Sequence, residues 1–121
     1  MKAIAPYDDR PKFKSGMEEA YWNYLYVLKE AKEILCFNYE QISFTVGVDE
    51  KGHARRYTPD FCVVNASREV EFHETKGSKD ARGQKAALGR LYAAASKYSI
   101  FRWVLVTKNE FGGWSKKEVK A

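Results

Sequence analysis

Apolar positions Met17, Tyr21, Tyr24, Leu25 and Leu28 recur at the three- and four-residue spacing of an α-helix, with polar residues between them. Ser15 and Glu18 precede this stripe as a capping box, in which a serine and a glutamate three residues later satisfy free backbone amides. The pattern therefore predicts a helix over about residues 16–33. Between Cys36 and Val48 the period shortens, and Phe37, Tyr39, Ile42, Phe44, Val46 and Val48 predict a strand, closed by a turn through Asp49, Glu50, Lys51 and Gly52. Residues 57–64 and 69–76 flank a short polar link, Asn65 to Arg68, which is the signal of an antiparallel hairpin. Gly77, Ser78 and Asp80 supply a turn and an N-cap for a second helix over residues 81–97, rich in Ala and Leu. The apolar run over residues 101–107 is short enough for a strand buried on both faces, and Gly112 and Gly113 turn the chain into a last short strand between Trp114 and Val119. The order predicts an α/β domain, αβββαβ, with a mixed central sheet flanked by helices.

A chain of 121 residues fits one core. Residues 1–14, with Pro6, Pro11, Arg10, Lys12 and Lys14, read as a flexible basic arm, and residues 15–121 as the single domain. Hydrophobic residues at 45% and charged residues at 31% exclude wholesale disorder. No apolar run approaches the roughly 20 residues needed to span a bilayer, and the N-terminus lacks a signal-peptide core, so a cytoplasmic protein without a membrane partner is expected. Cys36 and Cys62 lack the number and spacing of a disulfide framework or a zinc site, and both are expected to be buried as small apolar residues. The net charge of +5 favours an anionic partner such as nucleic acid.

One constellation changes this picture. Glu74 and Lys76 stand two apart on a predicted strand and leave the same face. Folding the hairpin about residues 66 and 67 sets Asp60 opposite residue 73 or 74, and opposite Glu74 the two Cβ atoms would lie roughly 4.5–5.5 Å apart. Like charges so placed destabilise a sheet unless compensated, and a hard divalent cation held by carboxylate oxygens is the natural compensator. With Lys76 balancing charge, the set suits phosphodiester hydrolysis without a covalent intermediate.

The segments Tyr57-Thr58-Pro59-Asp60-Phe61 and Glu74-Thr75-Lys76-Gly77 resemble the PD-(D/E)XK nuclease motif. Together with Ser15-Gly16-Met17-Glu18 ahead of a helix, their order over about residues 14–85 is similar to the bacteriophage endonuclease I type of Holliday junction resolvase. The resemblance implies a restriction-endonuclease-like core and a magnesium-dependent endonuclease, with manganese able to substitute and no organic cofactor. It further implies branched DNA as substrate in phage recombination or replication, a homodimer, and the host cytoplasm as its location. Glu18 would join Asp60 and Glu74 at the metal, the carbonyl of Thr75 would be a further ligand, and Lys76 would position the attacking water. Two alternatives stay open: a nuclease that nicks linear or single-stranded DNA without structure preference, and a catalytically silent DNA-binding module.

Each of these residues has a plainer explanation beside the functional one. The capping box already accounts for Glu18, and Glu19 is its substitute as the helix carboxylate. His73 alternates to the face opposite Glu74 and is expected to be structural or to touch substrate, while His53 is expected to be solvated in its turn. Lys79, Arg82 and Lys85 approach the second helix N-terminus as a phosphate clamp or as a solvated face. Arg55, Arg56 and Lys14 are further candidates for DNA contact, and Lys116, Lys117 and Lys120 form a charged tail. Tyr21, Trp22, Tyr24 and Trp103 are expected in the core.

Overall fold

The computed structural model describes residues 10–77 and 81–120, with the side chains of residues 81–84 outside the described set. Helix α1 (Gly16–Glu30) is followed by strands β1 (Ile34–Tyr39), β2 (Phe44–Val48), β3 (Ala54–Tyr57), β4 (Phe61–Asn65) and β5 (Val70–Lys76). Helix α2 (Ala81–Lys97) and strands β6 (Arg102–Lys108) and β7 (Trp114–Val119) complete the order. Five strands form one sheet in the order β1-β4-β5-β6-β7, while β2 and β3 pair as a separate ribbon. Among the described strands only β5 and β6 run parallel in the sheet, joined by α2 as crossover, so the sheet is mixed.

The two faces of the sheet bury different helices. Tyr21, Trp22 and Leu25 of α1 pack on Ile34, Tyr39, Phe61, Val63, Val104 and Val106. On the other face Leu91, Ala94 and Ala95 of α2 meet Cys62, Phe72 and Trp103, with Tyr57 of the ribbon against them. Tyr98 anchors the ribbon, its hydroxyl donating to the Thr45 carbonyl at 2.7 Å. Tyr21, Trp22 and Trp103 are core residues as expected, and Tyr24 is half-buried. Among the described residues no helix is long and apolar enough to cross a membrane.

The observed order differs from αβββαβ, because two expected strands are each broken in two and the expected last short strand, β7, follows β6. The strand expected over residues 36–48 breaks at Glu40, whose φ of 52° turns the chain out of the sheet. Apolar alternation slips phase there, from Phe37 and Tyr39 to Ile42 and Phe44, a signal that one long strand passes over. The strand expected over residues 57–64 breaks at Thr58-Pro59-Asp60, where proline has no N–H to give a ladder. Helix α1 ends earlier than residue 33, at Ala31 as C-cap. Lys32 adopts φ 64°, and the Glu33 N–H closes on the Leu28 carbonyl at 2.9 Å, the hydrogen bond of a Schellman motif.

Two further expectations are corrected. Residues 10–14 are docked rather than a free arm: Arg10 bonds Glu19 at 2.9 Å and Asn23 at 3.1 Å, and the Phe13 ring lies 5.1 Å from that of Tyr39. The rest of the expected arm lies outside the described residues. Cys62 is buried, but Cys36 is exposed, because β1 is an edge strand.

Candidate metal centre

The carboxylates gather at one end of the sheet, where β1 and β5 finish and β4 begins. In the β4–β5 hairpin Phe61 faces His73, so Asp60, one step earlier, comes level with Glu74. The link adds one residue to the simplest turn: Arg68 takes φ 67°, and its N–H donates to the Asn65 carbonyl at 2.9 Å. That detail settles which of residues 73 and 74 Asp60 meets.

Asp60 is 7% exposed and is held from β5. Its Oδ2 accepts hydrogen bonds from the Thr75 N–H at 2.9 Å and the Thr75 hydroxyl at 2.8 Å. Burial pushes its carboxyl up to about 6, against those two bonds, and the charges of Glu18 and Glu40 push in the same direction. Thr75 is thus seen as a donor to Asp60 through N–H and hydroxyl.

Glu74, 9% exposed, accepts a 2.6 Å hydrogen bond on Oε1 from the Tyr57 hydroxyl. Burial pushes its carboxyl up to about 8, and the neighbouring Asp60 adds to that rise. His73, next along β5, faces the other way. It is buried between the Tyr21 hydroxyl, 2.6 Å from Nδ1, and Glu71 Oε1, 2.8 Å from Nε2. With an acceptor carboxylate at Nε2 and a phenol at Nδ1, the ring is a neutral Nε2–H tautomer, and burial holds its pKa below the ordinary value. It has no place in the carboxylate group.

Glu18 reaches the same end from α1. Its N–H donates to the Ser15 hydroxyl at 3.1 Å, which is half of a capping box. The other half is missing, because Glu18 Oε1 instead accepts from the Lys14 N–H at 3.1 Å and from the Tyr39 hydroxyl. Glu19 is exposed and bound to Arg10, so Glu18 is the helix carboxylate at the site.

Glu40 was missed in the sequence. Its left-handed backbone is held by a 2.9 Å bond from its N–H to the Asp60 carbonyl, which carries its side chain to the cluster. One oxygen each from Glu18, Glu40 and Asp60 lie within 4.8 Å of one another. Glu74 is outside that trio but feels the charges of Asp60 and Glu18. A glutamate between Tyr39 and Gln41 at a strand end matches no motif spacing, and the corner in the backbone brings it in.

These residues could bind a metal ion. The set is all carboxylate oxygen, which suits hard cations such as magnesium, calcium or manganese rather than zinc. Buried like charges need a proton or a cation to offset them, and the raised carboxyls of Asp60 and Glu74 are that need expressed as proton affinity. A protein cation touches the group: the Lys14 ammonium sits 2.8 Å from Glu40, in a side chain 72% exposed.

The basic candidates are spread more widely. Lys76 ends β5 on the same side of the strand as Glu74, opposite Thr107 of β6. Arg90, which the sequence reading passed over, lies on α2 close enough for its charge to act on Glu74 and Tyr57. Arg55 and Arg56 are exposed on β3, and Arg56 also donates to the Thr45 hydroxyl at 3.3 Å. Lys85 is exposed near the start of α2, whereas Lys79 and the Arg82 side chain lie outside the described residues. His53 is solvated, 3.5 Å from Asp49.

No family model matches the chain, and comparison with curated proteins and with solved structures gave no match.

Proposed function

We propose that this chain is a magnesium-dependent endodeoxyribonuclease with a PD-(D/E)XK-type site, cleaving phosphodiester bonds in branched DNA. The observation that supports it best is the convergence of buried Glu18, Asp60 and Glu74, with half-buried Glu40, at the sheet end where Lys76 also finishes its strand. Glu18, Glu40 and Asp60 would hold the cation, with Glu74 beside them, and manganese would be accepted in its place. A divalent cation there supplies positive charge to the phosphate under attack and makes water a better nucleophile.

The chain's own residues do the rest. Thr75 fixes the Asp60 carboxylate, and Tyr57 fixes that of Glu74. Lys76 orients the attacking water and balances the charge that grows on the phosphate. Arg55 and Arg56, on the strand leading into Asp60, with Lys85 on α2, contact flanking phosphates and make affinity fall with salt. Two sites acting on one branch call for a homodimer.

The test is cleavage of a labelled four-way junction and a matched linear duplex, with magnesium and with EDTA, beside Asp60→Ala and Lys76→Ala. Magnesium-dependent cuts near the branch, lost in both variants, are expected. Equal cutting of both substrates would leave a nuclease without structure preference. One observation favours a silent DNA-binding module instead: the Lys14–Glu40 contact already brings a cation to the cluster. DNA binding without cleavage under any divalent metal would establish that reading.

A further inference from the structure

Phe111 is 88% exposed at the tip of the turn between β6 and β7, the most exposed large apolar side chain among the described residues. A solvated phenylalanine is ordinary on a loose loop, but this turn is tightly built. Asn109 Oδ1 accepts from the N–H groups of Phe111 and Gly113, each at 2.9 Å, and the Asn109 N–H donates to the Gly113 carbonyl at 2.9 Å. Gly112 has φ 81°, where other residues are strained, and a Cβ on Gly113 would meet Asn109 Nδ2 at 3.1 Å. The ring is therefore presented to water by a fixed backbone.

The position of the turn says what the ring meets. Because β6 runs parallel to β5 with Thr107 opposite Lys76, the turn leaves the sheet at the end where the carboxylates gather. Its surroundings alternate aromatic rings with ammonium groups: Lys108 lies 5.4 Å over Trp114, and Lys116 4.7 Å over Tyr24. Glu110 is the acid of this stretch and is exposed. Rings interleaved with cations suit single-stranded nucleic acid, whose bases stack while its phosphates pair with charge.

We propose that Phe111 stacks on a nucleobase whose outer face is uncovered, at a branch point or an unpaired end next to the scissile bond, so that this turn selects branched or single-stranded DNA over continuous duplex. This rests on the nuclease reading, and it names the feature of the substrate that the site distinguishes. A paired base inside duplex offers its face to its neighbours and not to Phe111.

The test is binding in EDTA, which does not depend on cleavage. The probe is a duplex with a single-stranded extension carrying 2-aminopurine at the first unpaired position, compared with the same strand fully paired. The wild-type chain is expected to quench the unpaired base and to prefer that probe. Phe111→Ala is expected to lose the quenching and roughly tenfold in affinity for it, and Phe111→Trp to keep both. Ile100→Ala, which removes a side chain 86% exposed at the other end of β6, is expected to behave as wild type. Quenching and preference undiminished in Phe111→Ala would overturn the stacking alone, while magnesium-dependent cleavage would still stand. Failure of every variant to bind either probe would overturn both readings. Phe111-dependent binding to anionic vesicles without binding to DNA would replace the nucleobase with a lipid surface.

Discussion

Asp60 and Thr75 are joined twice: a backbone N–H and a hydroxyl from one residue end on the same carboxylate oxygen, at 2.9 and 2.8 Å. The first carries the sheet's own geometry into the site, and the second is open to substitution. Thr75→Val keeps the shape and removes the hydroxyl, so the Asp60 carboxyl should rise above its present value of about 6. Stability should fall by about 1 kcal/mol. Carboxyl titration followed by NMR checks the direction, and an Asp60 that titrates lower would refute the assigned role of the hydroxyl.

The metal-free protein should lose stability as pH rises. Asp60 goes from an ordinary 3.8 to about 6 and Glu74 from 4.5 to about 8, so the folded state binds protons more tightly than the unfolded one. Their contribution is complete below about pH 4 and is lost as pH climbs through 6 and then 8. Thermal melts from pH 7 to 9 should show this decline in EDTA, above the range where His73, held below its ordinary pKa, works in the opposite direction, with a flatter curve in magnesium and again in Asp60→Asn with Glu74→Gln. A melting temperature that rises over this range in EDTA would contradict it.

Glu40→Gln should raise the magnesium concentration needed for half-maximal cleavage by roughly tenfold, the lower end of what loss of a supporting ligand costs. Glu19→Gln should leave it unchanged, because Glu19 is exposed and pairs with Arg10. Isothermal titration with manganese gives the same comparison without cleavage, and equal affinities for the two variants would remove Glu40 from the centre.

His73→Ala should cost about 2–4 kcal/mol, since it leaves the Tyr21 hydroxyl and Glu71 without their buried partner. The folded fraction should still cleave, because His73 faces away from Glu74. Denaturant melts and assays at matched folded concentration separate the two. Loss of cleavage in a fully folded variant would show that His73 acts in the chemistry.

The helices and the central hairpin were legible because their burial is periodic: α2 keeps its expected bounds, and Asp60, Glu74 and Lys76 fall at the end of one hairpin. The corners were not. Glu40 turns through left-handed φ where the apolar phase slips from Tyr39 to Ile42, and the Tyr57-Thr58-Pro59-Asp60 stretch leaves one sheet for the other with its alternation intact. A period reports which face is buried, not where a chain changes sheets. Hence Asp60 and Glu74 could be proposed from spacing and Glu18 from the resemblance, while Glu40 and Arg90 needed the folded chain. Cys36 went astray for a related reason, since cysteine is usually buried and nothing in six uncharged residues says that their strand lies at an edge.

The pairing of Phe61 with His73 and of Cys62 with Phe72 has a consequence for how this molecule can fail. A one-residue slip of that hairpin would turn Phe61 and Val63 from beneath α1 and carry Asp60 off Thr75 in the same step. The alignment of the carboxylates is thus inherited from the oily interior, and chains with the wrong pairing are lost to unfolding rather than kept as inert copies. Heat or denaturant should abolish fold and function at one midpoint, whereas a folded population without function should arise from chemical damage at the carboxylates or the lysine.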